Sequence, residues 1–412
     1  MKFNKIFQAP NDGNYFFGYY DKPQISPCNK YFLSHKINFL DRYPNYNDEV
    51  DVGYFDVNND KFLKIDSTSA CNFQQGSMLN WFFKSDEIIF NKLVNGNYRS
   101  LIKNIKNNNS NLIDCPLYAL SNNKDFFLTI NFLNLSIHKR GYGYDYKFKS
   151  NFKNYFHDPK EIGIWIYVFS KNKIFKLIDI KEIHNDNNCW IEHISISPDN
   201  YHFIFMLRYK LNDGGIRDKL YLSNIDKNTL VEIKTFARGS HYNWIDNNSF
   251  IIYGGVNTSF NKIRHQKTLQ NLTYAKKLIK IYHKLIKHNT DLSKFITGDS
   301  YYIYNIETKI KKKIQAKFNK EDGHPSVSNN YKNLMITDQY SDIINNKYPK
   351  LFLYDLKESK LIEELKFDSI STLDNSGFRC DLHPRFSTDG KFFSIDLFLD
   401  QQRSFQIYKI TE

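Results

Sequence analysis

Four histidines occupy equivalent positions in a hairpin pattern that recurs along this 412-residue chain. Each hairpin has an alternating strand, a polar turn and a returning apolar strand, as in "DLHPRFSTDGKFFSID" at residues 381–396. When the hairpins are aligned on the turn, the position five residues upstream holds His193, His241, His324 and His383. Ionisable side chains that converge in one cavity are typical of binding and catalytic sites, so this register predicts a functional centre.

Further polar residues fall near the same ends of the predicted strands. The first hairpin places Lys22 at the position that the histidines share, and Arg385 is expected to point into the same channel. A returning strand ends in Arg208, which adds a fixed cation beside the histidines, although a cation at a strand end is often only an ion-pair partner. Another returning strand ends near Asp338 and Tyr340, which we expect to contact substrate.

An amide-rich segment, "CNFQQGSMLNW" at residues 71–81, precedes the second hairpin. Asn72, Gln74 and Gln75 lie there near the entrance of a predicted blade. Their amides either bind sugar hydroxyls or satisfy the backbone of the loop, since an amide can both donate and accept hydrogen bonds.

Seven hairpins of this kind alternate with second, aromatic-rich hairpins, and together they predict the fold. Units of four antiparallel strands, repeated seven times, are typical of an all-β, seven-bladed β-propeller. We expect one domain over residues 1–412, in which the amino-terminal strand "MKFNKIF" completes the last blade. The predicted blades cover about 19–65, 72–113, 116–178, 190–235, 241–315, 324–366 and 383–410.

Two stretches interrupt the period of the repeat. Residues 132–160 are polar and rich in tyrosine, which predicts a long loop that covers a site. Residues 262–289 predict a basic amphipathic helix, which either lies on the propeller or contacts a membrane surface or a partner.

Composition excludes several classes of protein. The net charge of +13 comes from lysines that are spread along the chain, so we expect no nucleic-acid partner. Five cysteines without a CxxC motif do not predict a disulfide framework. No apolar run approaches the length of a membrane span and no signal peptide is visible, so we expect a cytoplasmic protein.

The segments "HISISPDNYHFIFMLRY", "SHYNW", "DGHPSVS" and "DLHPRFS" resemble those of the oligogalacturonate lyase type of TolB-like propeller, and more loosely the ulvan-lyase propellers. The resemblance implies that Arg208 and His241 are catalytic. It also implies a divalent metal, of which His324 and His383 match two ligands. Cys380 stands where the family has a glutamine, and Arg385 where it has its last histidine.

The resemblance implies a lyase that acts on an acidic oligo- or polysaccharide, and this array of residues could perform that chemistry. Arg208, Arg385 or a metal ion (Mn, Fe, Ni or Zn) would neutralise the uronate carboxylate. His241 or His193 would serve as the base, and Tyr242 would protonate the leaving oxygen.

Two other functions stay open from the sequence. A glycoside hydrolase would need two carboxylates across a cleft, for which Asp338, Asp396 and Asp21 are candidates. A glycan- or protein-binding propeller without catalytic activity would use the same fold.

Overall fold

A computed structural model provides the structure of the chain. It describes residues 1–83, 86–145, 158–185, 188–210, 216–261, 274, 277, 280, 281, 290–316, 318, 321–328, 333–341, 348–368 and 379–411. The helix predicted for residues 262–289 falls, apart from four isolated positions, outside these described residues. None of the helices in the described ranges is long and apolar enough to cross a membrane.

Over these residues the chain forms seven four-stranded antiparallel sheets, which confirms the predicted seven-bladed propeller. The first blade contains β2 (Asn14–Phe16), β3 (Tyr31–Ile37), β4 (Val50–Asp56) and β5 (Asn59–Thr68). The second contains β6 (Asn80–Trp81), β7 (Glu87–Val94), β8 (Asn97–Asn104) and β9 (Ser110–Ile113). The third contains β10 (Ala119–Leu120), β11 (Phe126–Thr129), β12 (Gly163–Val168) and β13 (Lys173–Asp179).

The remaining blades follow in chain order. The fourth contains β14 (Cys189–Ile196), β15 (His202–Lys210), β16 (Ile216–Asn224) and β17 (Leu230–Glu232). The fifth contains β18 (Phe236–Trp244), β19 (Ser249–Val256), β20 (Asp299–Asn305) and β21 (Lys311–Lys313). The sixth contains β22 (Ser326–Val327), β23 (Leu334–Gln339), β24 (Lys350–Asp355) and β25 (Lys360–Lys366). The seventh contains β26 (Arg385–Phe386), β27 (Phe392–Leu399), β28 (Gln402–Thr411) and β1 (Lys2–Gln8).

The amino-terminal strand joins the seventh blade as its outer strand. β1 pairs antiparallel with β28, from Lys2 opposite Thr411 to Gln8 opposite Gln406. The first and last described strands of the chain therefore lie side by side and close the ring.

The hydrophobic core lies between neighbouring blades. Leu33 and Val52 of the first blade, for example, share one buried cluster with Trp81 and Ile88 of the second. A propeller sheet buries both of its faces against its neighbours, so apolar residues occupy both sides of the middle strands. The ring thereby provides a rigid support for the strand ends around the central channel.

Two segments differ from the sequence prediction. The first strand of the first blade lies at Asn14–Phe16, earlier than the predicted start at residue 19. The predicted loop of residues 132–160 begins with a helix, α1 (Phe132–His138), which Asn131 caps by accepting hydrogen bonds from two backbone N–H groups. A second helix, α2, covers Thr290–Thr297.

Candidate active site

The four histidines of the shared register lie together at one end of the channel. The ring centres of His193 and His241 are 5.5 Å apart, and those of His241 and His324 are 4.2 Å apart. His324 and His383 are also separated by 4.2 Å. All four side chains are buried, and they come from the fourth, fifth, sixth and seventh blades in turn. We call this group the histidine cluster.

Irregular backbone helps to direct these side chains toward the axis. The pairing of β14 with β15 gains one residue between Glu192 and Ser195, which forms a β-bulge at His193. A second bulge lies between Gly239 and Tyr242 in β18 and contains His241. His193 and His383 have positive φ angles of 56° and 42°, a strained conformation that is often found at functional sites.

In two histidines of the cluster, Nδ1 lies within reach of a carboxylate. Nδ1 of His324 lies 3.0 Å from both carboxylate oxygens of Asp338. Nδ1 of His241 lies 3.2 Å from Asp322. Such contacts fix the ring and its tautomer, and they leave the opposite nitrogen for a ligand or a substrate.

The fourth blade holds a network of charges beside His193. Nε2 of His193 is 3.4 Å from the buried carboxylate of Glu192, which also pairs with Lys139 at 3.0 Å and with Arg208 at 2.7 Å. Arg208 reaches Asp218 at 2.8 Å with its Nε. The charge of the predicted catalytic arginine is thus shared between two carboxylates.

Burial favours the uncharged form of three histidines of the cluster. It lowers the pKa of His193 to about 3 and the pKa of His324 well below the ordinary value, where His241 adds repulsion. Burial and the neighbouring His324 have the same effect on the pKa of His383. Neutral imidazoles are the form that binds metals and accepts protons.

Tyr19, which the sequence prediction missed, lies at the centre of the histidine cluster. Its ring is 5.1–6.2 Å from the ring of every histidine in the cluster, and its hydroxyl is 3.1 Å from Nδ1 of His193. The chain leaves the first blade after Phe16 and reaches the axis at Tyr19. Gly18 permits this path, because a Cβ there would lie 2.9 Å from the backbone of Gln75 and its φ is +131°.

Asp381, a second residue outside the prediction, completes a set of possible metal ligands. One ligand atom each from His324, Asp381 and His383 lie within 4.8 Å of one another, and all three residues are buried. Nε2 of His383 is buried without a hydrogen-bond partner in the described part of the chain. The sequence "RCDLHP" holds Asp381 two residues before His383, which was the available signal.

Arg385 and Asp396 lie beneath the site rather than in it. Arg385, only 1% exposed, donates to Asp396 at 2.8 Å, to Gln24 at 2.9 Å and to the carbonyl of His383 at 2.9 Å. The prediction that Arg385 binds substrate needs correction, because its guanidinium is enclosed by protein acceptors. Asp396 is equally enclosed, which removes one carboxylate of the hydrolase hypothesis.

Asp338 and Tyr242 bind other parts of the protein. Asp338 was predicted to contact substrate, and Tyr242 to protonate the leaving oxygen. Asp338 is 1% exposed and accepts the backbone N–H groups of His324 and His383. Burial raises the pKa of Asp338 to about 7. The Tyr242 hydroxyl donates to the carbonyl of His193, so it faces backbone and not the leaving oxygen of a substrate.

The side-chain amides of the segment at residues 71–81 form hydrogen bonds within the protein. The Asn72 side chain accepts from the N–H groups of Gln74 and Gln75 and donates to the carbonyl of Tyr142. Gln75 donates to the hydroxyl of Tyr118, and Gln74 to the carbonyl of Arg379. All three amides are 2% exposed, which favours the backbone-satisfying alternative over contact with sugar.

Lys22 lies away from the histidine cluster. It lines a cavity of about 1070 Å³ at the opposite end of the channel, where the hairpin turns meet. There its Nζ donates to Asp21 at 2.7 Å. Lys22 does not take the position of the histidines because its segment has left the sheet, so this prediction is also corrected.

Tyr340, by contrast, lies at the histidine cluster. Its hydroxyl is 3.3 Å from Nδ1 of His241, and its ring centre is 5.3 Å from that of His324. It is partly exposed, so it can contact a ligand that enters from this end.

Two solved structures match the chain over its whole length. An oligogalacturonate lyase in complex with manganese superposes with a TM-score of 0.65 at 13% identity, covering 100% of this chain and 93% of that one. The oligogalacturonate lyase of Vibrio parahaemolyticus gives 0.63 at 12% identity, with coverage of 100% and 94%. The chain shares its fold with oligogalacturonate lyase. No protein-family model matches the sequence, and no curated protein matches it either.

The resemblance inferred from the histidine motifs is thereby confirmed for the fold. At 12–13% identity the likeness to oligogalacturonate lyase concerns architecture, and the chemistry depends on the side chains of the site.

Proposed function

We propose that this propeller is a lyase that cleaves an acidic, uronic-acid-containing oligosaccharide by β-elimination. The observation that carries the proposal is the meeting of four buried histidines, from four successive blades, at one end of the channel. The full-length likeness to the oligogalacturonate lyase fold supports it. The hydrolase alternative is weakened, because two of the three carboxylates predicted for it, Asp338 and Asp396, are enclosed by protein donors.

The reaction needs a base and a means of neutralising a carboxylate. The base removes the proton from C5 of the uronate, and the electron pair of that bond forms the C4–C5 double bond. The bond between C4 and the bridging oxygen breaks, and this oxygen takes up a proton. Because the C5 proton is weakly acidic, positive charge must stabilise the carboxylate as it gains enolate character.

His241 is the best candidate for the base. Its Nδ1 is held by Asp322 at 3.2 Å and by Ser240 at 3.1 Å, and its Nε2 has no hydrogen bond from the described residues. Both nitrogens of His193 are already engaged, one by Tyr19 and the other by Glu192. His241 therefore has a ring nitrogen available for a proton, whereas His193 has none.

The donor set of the site fits a divalent metal. His324, His383 and Asp381 would hold the ion, since two imidazoles and a carboxylate suit Mn, Fe, Ni or Zn. The unpaired, buried Nε2 of His383 supports this fit. When bound, such an ion supplies Lewis-acid neutralisation of the substrate carboxylate. Asp338 would keep His324 in the orientation that directs its other nitrogen toward the ion.

The test is formation of the unsaturated uronate product, followed by its ultraviolet absorbance, over a panel of acidic oligosaccharides with and without chelator. The His241→Ala variant should lose about 100-fold or more in turnover, the usual scale for a positioned base. His202→Ala, which alters a histidine in the strand β15 outside the cluster, is the matched control and should retain activity.

Other outcomes would contradict the proposal in distinct ways. New reducing ends without the ultraviolet product would indicate a hydrolase. Binding of an acidic oligosaccharide without any cleavage would indicate a binding module.

A further inference from the structure

The guanidinium of Arg379 is held rigidly beside the histidine cluster. Its Nε lies 2.8 and 2.9 Å from the two carboxylate oxygens of Asp381, and its Cζ is 4.6 Å from the ring centre of Tyr340. Its backbone carbonyl accepts hydrogen bonds from Gln74 and Arg403. Both the backbone and the side chain are thus fixed in advance, which lowers the entropic cost of binding a ligand.

The part of Arg379 that remains available is the part that recognises carboxylates. Within the described ranges, neither of its terminal nitrogens has a hydrogen-bond partner, and its side chain is 30% exposed. Two parallel N–H donors match the two oxygens of a carboxylate. Arg208 contrasts with it, because two of its nitrogens already face Glu192 and Asp218 and its side chain is 15% exposed.

Arg379 is also close to the groups that would act on the substrate. Tyr340, on which it stacks, reaches Nδ1 of His241 at 3.3 Å. Asp381, to which it donates, belongs to the group of possible metal ligands with His324 and His383. A carboxylate bound to the terminal nitrogens would therefore lie at the same edge of the site as the proposed base.

We propose that Arg379 binds the carboxylate of the reacting sugar unit, a role that the sequence predicts for Arg208, Arg385 or a metal ion. Asp381 and Tyr340 position its guanidinium, and Arg208 instead neutralises Glu192 within the wall of the site. This inference rests on the proposed function for the identity of its ligand, an oligosaccharide with a carboxylate on the unit to be cleaved.

The experiment compares three full-length variants with the wild-type protein: Arg379→Gln, Arg379→Lys and, as a control, Arg238→Gln. Arg238 is a matched control because it is also a partly exposed arginine, paired with Asp299 in the fifth blade. The probes are trigalacturonate and its carboxyl-reduced, neutral counterpart, with binding measured by calorimetry and cleavage by ultraviolet absorbance.

Arg379→Gln should weaken binding of trigalacturonate by about 10- to 100-fold, the scale of losing a charge-assisted pair of hydrogen bonds, and raise KM accordingly. Arg379→Lys should restore binding only in part, because an ammonium cannot form the paired contact. Binding of the neutral counterpart should be the same in the wild type and in Arg379→Gln. A merely structural role would change binding of both probes alike.

Each result has a defined meaning. Unchanged trigalacturonate binding by Arg379→Gln overturns the assignment of Arg379, while product formation by the wild type leaves the proposed function standing. If the wild type binds trigalacturonate without cleaving it and Arg379→Gln does not bind, Arg379 keeps its role and the lyase proposal fails. If the wild type neither binds nor cleaves an acidic oligosaccharide, both fail.

Discussion

The Asp396→Asn variant should have a clearly lower Tm than the wild-type protein. Asp396 is 3% exposed and accepts hydrogen bonds from Arg385 at 2.8 and 3.3 Å. It also accepts the backbone N–H groups of Phe17 at 3.3 Å and Gly18 at 3.4 Å. The asparagine keeps the shape of the side chain but removes the charge, which leaves the buried guanidinium without a counter-ion. Breaking a buried pair in this way costs about 3–5 kcal/mol.

This energy corresponds to a measurable change in Tm. An unfolding entropy of about 2.1 cal/mol/K per residue amounts to about 0.9 kcal/mol/K for 412 residues. The expected decrease in Tm is therefore about 3–6 °C. Because Asp396 also holds the backbone beside Tyr19, activity should fall even at temperatures where the variant is folded.

Differential scanning calorimetry of the wild type and Asp396→Asn is the appropriate assay. Asp246→Asn serves as the control, since Asp246 is exposed in a hairpin turn and its side chain accepts one backbone hydrogen bond, from Asn248. The control should change Tm by about 1 °C or less, as expected for a surface substitution. If Asp396→Asn lowers Tm no more than the control, the ion pair between Arg385 and Asp396 does not stabilise the folded protein by this amount.

Further predictions concern pH, metal binding and the proton donor. Burial lowers the pKa of His35 to about 4 from 6.5, so its contribution of about 3 kcal/mol to stability is complete above pH 6.5 and is lost as the pH falls toward 4. His35→Gln should therefore show a shallower acid-denaturation profile. Asp338→Asn should weaken metal binding, measured by titration, by about 10- to 100-fold through its contact with His324. Tyr242→Phe should keep turnover within a few-fold of the wild-type value, because the Tyr242 hydroxyl faces the carbonyl of His193. A 100-fold loss of turnover would instead indicate that Tyr242 is the proton donor.

The fold could be predicted from the repeat, because a propeller has the same sequence pattern in every blade. His193, His241, His324 and His383 share one register, so their proximity could be anticipated from a single alignment. Alternation also placed Arg385 on an inward-facing side of its strand. It could not reveal that Asp396 and Gln24 would enclose the guanidinium, since Gln24 lies in a segment 361 positions away.

The departure of the chain from the first blade could not be anticipated by the same means. Residues 19–35 follow the hairpin pattern well enough to place Lys22 in the histidine register. The actual path depends on contacts distant in sequence, such as the hydrogen bond from Phe17 to Asp396 across 379 positions. Likewise Asp322, two residues before His324, pairs with His241 of the preceding blade. Pairings between blades leave no local signal in the sequence.

The way the ring closes has a consequence for how the protein assembles. Gln8 and Gln406, which are bonded at 2.8 Å across the pairing of β1 with β28, are 398 positions apart. Contacts of such long sequence separation form slowly, and until they form β1 is an unpaired edge strand. We therefore expect the seventh blade to be the last to assemble and the first to open. Because Asp396 of this blade also anchors the segment that carries Tyr19, a chain caught before this step would have six formed blades and an incomplete histidine cluster.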